Sequence, residues 1–171
     1  MEAVSNGVRK VLVANPRVCT GCRSCEVFCS FHHYRENNPR RAFIRIVKVE
    51  DECLDIPVIC HHCERPSCMA ACPVGAIYRD SETGAVLIDH DKCIGCMACV
   101  GACPFGAIVV DPKTGDVVKC DLCGGDPVCV KVCPTRALLY VRADVAPRIF
   151  MEENLMGVVN SLARERKPIF A

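Results

Sequence analysis

The sequence predicts a small α+β protein in which one unit (strand, cysteine loop, short helix, strand) is used four times and followed by a helical tail. Three observations predict this. Sixteen of the seventeen cysteines fall into four groups of four with nearly the same internal spacing. An apolar run enters each group, and three of the four groups end in Cys-Pro followed by a second apolar stretch.

The first unit opens with the run Val11–Val13 and continues as Cys19-x2-Cys22-x2-Cys25-x3-Cys29. Ser30 stands where the other groups have proline, so its helix is expected to run on through Phe31-His32-His33. The second unit enters through Ile56–Ile59 and reads Cys60-x2-Cys63-x4-Cys68-x3-Cys72, then Pro73. The third enters through Ala85–Ile88 and reads Cys93-x2-Cys96-x2-Cys99-x3-Cys103, then Pro104. The fourth enters through Asp116–Val118 and reads Cys120-x2-Cys123-x5-Cys129-x3-Cys133, then Pro134. Each helix should start near the third cysteine and stop at the proline, which disfavours helix in the residue before it. Glu82-Thr83-Gly84 and Lys113-Thr114-Gly115-Asp116 read as hairpin turns between units. After Pro147 the chain reads as a helix, with Met151, Leu155, Val158, Val159 and Leu162 at helical spacing and Arg164-Glu165-Arg166-Lys167 closing it. That stripe suits docking to a partner subunit or packing on the chain itself.

The cysteine spacing carries the chemistry. Thiols at i, i+3 and i+6 on a tight loop can reach three irons of one cubane. The fourth, on the helix, points away and ligates a neighbouring cluster, as in the bacterial C-x2-C-x2-C-x3-C-P run. Gly21 and Gly95, just before the second cysteine, let the backbone come close to a cluster. Four motifs therefore imply four [4Fe–4S] clusters. A structural zinc site uses two separated pairs, which would leave the third cysteine of each run surplus, so a zinc-binding scaffold is the weaker alternative. Disulfides are weaker still, because the count of seventeen is odd.

Composition agrees. Nine aromatic residues and no tryptophan make a thin core for 171 residues, so bound metal is expected to supply part of the folding energy. The net charge of +1 gives no basic excess for nucleic acid. Four cubanes with a 2+ core and four thiolates each would add about −8 and bring the chain to about −7. Arg23, Lys92, Lys119, Lys131 and Arg136, beside the motifs, could offset that charge or be ordinary surface cations. Residues 1–17 hold no signal-peptide run, and no stretch approaches the roughly 20 apolar residues of a membrane span. A cytoplasmic location is expected. Neither a dinucleotide fingerprint nor a P-loop occurs, and no spare group of histidines and carboxylates suggests a catalytic metal.

The motifs resemble the four-cluster iron–sulfur subunits that serve molybdenum and tungsten pterin enzymes such as formate dehydrogenases and dimethyl sulfoxide reductases. The resemblance spans roughly residues 9–142. It rests on the extended loop Cys60-His61-His62-Cys63-Glu64-Arg65-Pro66-Ser67-Cys68 and on Lys119-Cys120-Asp121-Leu122-Cys123 through Cys133-Pro134. The opening from Val11 to Cys25, with Cys29-Ser30-Phe31-His32-His33, is similar to the small polyferredoxin subunit of bacterial tungsten aldehyde oxidoreductases. Ferredoxins linked to carbon monoxide dehydrogenase share much of it.

This resemblance implies two ferredoxin-like dicluster modules related by a pseudo-twofold. Residues 1–54 and 116–143 would form an outer module from motifs one and four, 55–115 an inner one from motifs two and three, and 144–171 a helical extension. The implied ligand sets are Cys19, Cys22, Cys25 and Cys133; Cys120, Cys123, Cys129 and Cys29; Cys60, Cys63, Cys68 and Cys103; and Cys93, Cys96, Cys99 and Cys72. Spacing alone also allows motif one with two and three with four. By the same resemblance the chain is a non-catalytic relay. It would link a tungsten or molybdenum pterin catalytic subunit, acting on aldehydes, to a ferredoxin, a flavin/NAD subunit or further copies of itself. A carbon monoxide dehydrogenase, formate dehydrogenase or hydrogenase relay is the alternative.

The remaining candidates are plainer. Cys53 belongs to no motif and is expected to be a free thiol. His61, His62, His32 and His33 are expected in surface or packing roles, although His61 and His62 could hydrogen-bond to a cluster. Lys119 suits a place between clusters and the surface equally. Pro66 and Pro127 should stiffen the two long cysteine gaps into protruding loops.

Overall fold

The computed structural model describes residues 9–149 and 151, so the helical stripe from Leu155 to Leu162 lies outside the described residues. Among them, eight short strands pair into four antiparallel two-stranded ladders. β1 (Lys10–Ala14), which leads into the first motif, pairs with β8 (Leu138–Arg142), which leaves the fourth, in the register Leu12↔Tyr140. The other ladders are hairpins between consecutive motifs. They join β2 (Arg45–Val49) to β3 (Leu54–Val58), β4 (Ile77–Arg79) to β5 (Val86–Ile88), and β6 (Ile108–Val110) to β7 (Val117–Lys119). β2 is the exit strand of the first unit, which lacks the Cys-Pro exit of the other three.

Two of the hairpins turn the same way. In each an aspartate opens the turn and a glycine with positive φ closes it: Asp80 with Gly84 (φ +71°), and Asp111 with Gly115 (φ +80°). The Asp80 carboxylate accepts from the Thr83 N–H at 2.8 Å, and the Asp111 carboxylate accepts from the Lys113 N–H at 2.8 Å. These are the Asx-type bonds that let a short polar side chain hold a reversal.

Four helices carry the cysteine loops: α1 (Ser24–Tyr34), α2 (Ser67–Ala70), α3 (Ala98–Ala102) and α4 (Val128–Lys131). The last three are single turns that stop before Cys-Pro, as the steric restriction on pre-proline residues requires. With Ser30 in place of proline, α1 runs through to Tyr34. The buried Ser30 hydroxyl donates to the Val27 carbonyl at 2.9 Å and accepts from the Asn38 N–H at 3.2 Å, so the position tethers the returning chain.

α1 packs on α4, and α2 on α3. One apolar cluster, including Leu12, Ile44, Ile59, Leu122 and Leu138, lies with Cys25, Cys29 and Cys129. A smaller one joins Ile77, Val86, Ile108 and Val117 to Cys99. Cysteines thus occupy core positions that larger side chains would fill in an ordinary protein of this length. The sequence-derived divisions at 54/55 and 115/116 fall inside hairpins, so β3 stays bonded to β2 and β7 to β6 across them. Among the described residues no helix is long and apolar enough to cross a membrane.

Candidate metal centres

The four loops repeat one backbone device. The residue before the second cysteine is left-handed in every motif: Gly21 (φ +60°), His62 (+45°), Gly95 (+68°) and Leu122 (+59°). That conformation turns the loop tightly enough to bring its thiols around one point. Gly21 and Gly95 take this shape, and two motifs reach it without glycine. Gly21 carries a second constraint, because a Cβ there would lie 2.3 to 2.5 Å from the Asp55 carboxylate atoms, whereas Gly95 faces open space.

None of the seventeen cysteines is joined in a disulfide. One cavity is lined by Cys29, Cys60, Cys120, Cys123 and Cys129. A second is lined by Cys60, Cys63, Cys68 and Cys103. A third is lined by Cys72, Cys93, Cys96 and Cys99. In the second and third, three thiols come from one motif and the fourth from another, so motif two meets motif three; in the first, Cys29 of motif one joins three thiols of motif four, with Cys60 of motif two at its edge. For the remaining set, Cys19 and Cys22 lie close enough to Cys25 to act on it as neighbouring negative charges, and Cys133 packs against the same core as Cys25. Cys53 lines none of these cavities. It sits exposed at the start of β3 with φ +49°.

The sets also adjoin one another. Cys129 is acted on by Cys29, Cys123 and Cys25, so the first two sets share the α1–α4 contact. Cys60 lines both the first and the second cavity, and it acts electrostatically on Cys120. Cys68 and Cys72 share α2 and its immediate exit, which joins the last two sets. At the two ends of this row, Cys22 and Cys96 are exposed.

Electrostatics favours metal. Burial pushes the Cys25 thiol up to about 12 and the Cys29 thiol up to about 11, the latter partly offset by the Phe43 N–H, 3.3 Å from its sulfur. Burial, then the neighbouring thiols Cys29 and Cys123, pushes Cys129 up to about 12. Burial also holds Cys120 well above its ordinary value. A thiolate at these positions is costly unless a bound cation accompanies it. Cys72 runs the other way. Burial raises it, but N–H groups of Ala76, Val74, Ile77 and Gly75 together outweigh that and hold it below its ordinary value. Backbone donors facing a sulfur are what an anionic cluster requires. Four thiols around an apolar cavity, with such donors, suit a [4Fe–4S] cubane.

The structure also places the remaining candidates, and two prolines differ from their expectation. Lys119 is buried; its Nζ donates to the Val86 carbonyl and, at 2.8 Å, to the Cys120 carbonyl, and it lines the second cavity. Lys92 and Lys131 pair with Asp89 and Asp126 on the surface. Pro66 and Pro127 do not protrude. Both are buried at the head of their helices and line the second and first cavities, leaving Glu64, Arg65 and Asp126 outside. His33 is half-buried, stacks on Phe43 with centroids 4.3 Å apart, and brings Nε2 within 4.0 Å of Cys123 Sγ. Burial holds His33 below the ordinary histidine value, with Asp121 opposing. His61 packs on Phe105.

His62 is 1% exposed. Its Nδ1 accepts from the Val86 N–H at 2.9 Å, while its Nε2 is buried with no partner. Burial first, then Lys119 and Arg79, hold it down at about 3. Sequence reasoning missed Arg41 and Asp111, which pair in the interior, and Glu26, whose buried carboxylate accepts from the Ile46 N–H at 2.8 Å. The repeated Asp-x-x-Thr-Gly at 80–84 and 111–115 was the available signal for Asp111.

Residues 52–143 match the 4Fe-4S dicluster domain family, and residues 16–32 match a 4Fe-4S binding domain. The chain belongs to the 4Fe-4S dicluster family. The dicluster protein is 41% identical over 122 residues to the polyferredoxin-like subunit of an aliphatic sulfonate oxidoreductase of Pyrococcus furiosus, covering 71% of this chain and 70% of that one. It is 38% identical over 140 residues to the B subunit of the anaerobic dimethyl sulfoxide reductase of Escherichia coli, covering 70% and 67%. A third relative is the beta subunit of the NADH-dependent phenylglyoxylate dehydrogenase of Aromatoleum evansii, 34% identical over 130 residues, 74% of this chain and 29% of that one. The dicluster protein is thus a polyferredoxin-type iron–sulfur protein of electron transport.

Proposed function

We propose that this chain relays single electrons through four [4Fe–4S] clusters, held in two modules by the sixteen motif cysteines, and performs no bond chemistry itself. The convergence of three motifs' fourth cysteines, Cys29, Cys72 and Cys103, on another motif's cavity is the observation that carries this reading. It makes adjacent ligand sets share helices, so the sets form a row whose two ends, at Cys22 and Cys96, reach the surface. Clusters supply the redox chemistry when bound. The chain's own part is to fix their spacing, exclude water from the inner ones and set the charge around them.

The partner at one end is a tungsten or molybdenum pterin catalytic subunit, with an aldehyde as the substrate class. The partner at the other is a ferredoxin, a flavin/NAD subunit or a second copy of this chain. Relatives that are named subunits of oxidoreductases support the subunit role. The location proposed is the cytoplasm.

The test is iron, zinc and acid-labile sulfide per chain on anaerobically purified protein, with EPR after dithionite reduction and metal analysis of whatever copurifies. About sixteen irons and sixteen sulfides with interacting signals are expected. Tungsten and pterin in the copurifying subunit fit the proposed partner, and nickel in their place overturns that part. Zinc without sulfide overturns the relay altogether.

A further inference from the structure

We infer that the Nε2–H of His62 donates a hydrogen bond to a sulfur of the cluster held by Cys60, Cys63, Cys68 and Cys103, raising that cluster's reduction potential above what its thiolates alone would give. This rests on the ligation proposed above.

Four observations converge. The Val86 N–H occupies Nδ1 at 2.9 Å, and an atom that accepts cannot carry the ring proton, so the proton is on Nε2. Nε2 is a buried donor with no partner among the described residues. An unsatisfied buried donor is costly, and a folded protein rarely tolerates one. His62 lines the cavity whose walls carry the four thiols, and sulfur is the acceptor those thiols bring there.

The orientation is built rather than incidental. His62 takes φ +45° in the loop turn, and the Arg9 guanidinium donates to its carbonyl at 3.0 Å. Val86 serves both sides of the ring's support: its N–H holds Nδ1, and its carbonyl accepts from Lys119. The matching positions in the other motifs are Gly21, Gly95 and Leu122, none of which has a side-chain donor. One cluster of the four is therefore singled out. A donor to sulfur stabilises the more negative, reduced form, so the potential rises.

The experiment is an EPR-monitored redox titration of the full chain, anaerobically purified, comparing wild type with His62→Leu and His62→Gln. Leucine occupies the same left-handed position at Leu122, so the fold accommodates it there. Glutamine retains an N–H near Nε2. The expected result is full iron and sulfide in both variants, with one midpoint potential lowered in His62→Leu and partly restored in His62→Gln. The reduced-to-oxidised ratio of that cluster at fixed poise should fall about tenfold, which is 59 mV for a one-electron couple. Unchanged potentials at full iron content overturn the inference, since a packing role would leave them unmoved. Should both variants lose iron, a His33→Phe/His61→Phe chain labelled with 15N-histidine decides, since His33 lies beside Cys123 and His61 lines the same cavity as His62. A 15N coupling to a reduced cluster supports the bond, and its absence overturns it. Wild type without cluster iron sinks the ligation reading instead, a separate failure.

Discussion

Arg41 and Asp111, seventy positions apart, meet in the interior of the protein. Nη2 of the arginine lies 2.6 Å from one carboxylate oxygen and Nε lies 3.0 Å from both. Arg41 ends the 3₁₀ turn Pro39–Arg41 that follows α1, and Asp111 opens the turn of the β6–β7 hairpin. The pair therefore pins the segment after motif one to the connector between motifs three and four. Tyr34 stacks beneath the guanidinium at 3.6 Å, and Glu36 takes Nη1 at 3.0 Å.

Removing the aspartate charge should be costly, because it leaves a buried arginine without its main partner. Asp111→Asn keeps an oxygen for the Lys113 N–H and so spares the turn. Its thermal unfolding midpoint, read by calorimetry on the iron-loaded protein, should drop by on the order of 10 °C. The double variant Arg41→Met/Asp111→Leu should regain much of that. Equal midpoints for wild type and Asp111→Asn would show that the pair is dispensable.

The same pair fixes a pH dependence. Hydrogen bonds from Arg41, working against burial, hold the Asp111 carboxyl down at about 2, against about 3.9 in an unfolded chain. A depressed carboxylate contributes stability that is complete above the unfolded value and lost as pH falls through the folded one. The deficit of Asp111→Asn should therefore be the same at pH 8 and pH 5.5. A deficit that shrinks between those values would mean the carboxyl titrates far above about 2.

The repeat, the three helices that stop at proline and the long α1 were legible because they depend on local chemistry: cysteine spacing, pre-proline sterics, and a serine where a proline would end the helix. Gly84 and Gly115 announced their turns for the same reason. Arg41 with Asp111 and His62 with Val86 were not legible, since each joins distant segments and neither partner marks the other in sequence. Pro66 and Pro127 misled for a related reason. Proline in a long gap signals stiffness but not direction, and here both rings fold inward over a cavity.

Gly21 and Gly95 look equivalent in sequence and are not equivalent in space. Alanine at either must hold a left-handed backbone, at about 1–2 kcal/mol. Only at position 21 would its Cβ also strike the Asp55 carboxylate, which is held by Lys48 at 2.9 Å. Gly21→Ala should therefore melt lower than Gly95→Ala, and adding Asp55→Ala should close the gap. If Asp55→Ala brings no recovery, the close approach is not what makes Gly21 necessary.

Cys53 tests the ligand assignment from the opposite side. It sits exposed at a turn between β2 and β3, its N–H bonded to the Glu50 carbonyl at 3.1 Å, and it lines none of the three cavities the motif thiols share. Cys53→Ser should leave iron at about sixteen per chain, whereas Cys68→Ser should lower iron and alter one cluster's signal. The backbone at Cys53 is left-handed, so Cys53→Gly should also relieve strain on the order of 1 kcal/mol and raise the melting midpoint by a few degrees. Iron lost from Cys53→Ser would make Cys53 a ligand and remove one of the sixteen from its set. Iron retained with a higher midpoint in Cys53→Gly would leave the seventeenth cysteine with a purely local place in the fold.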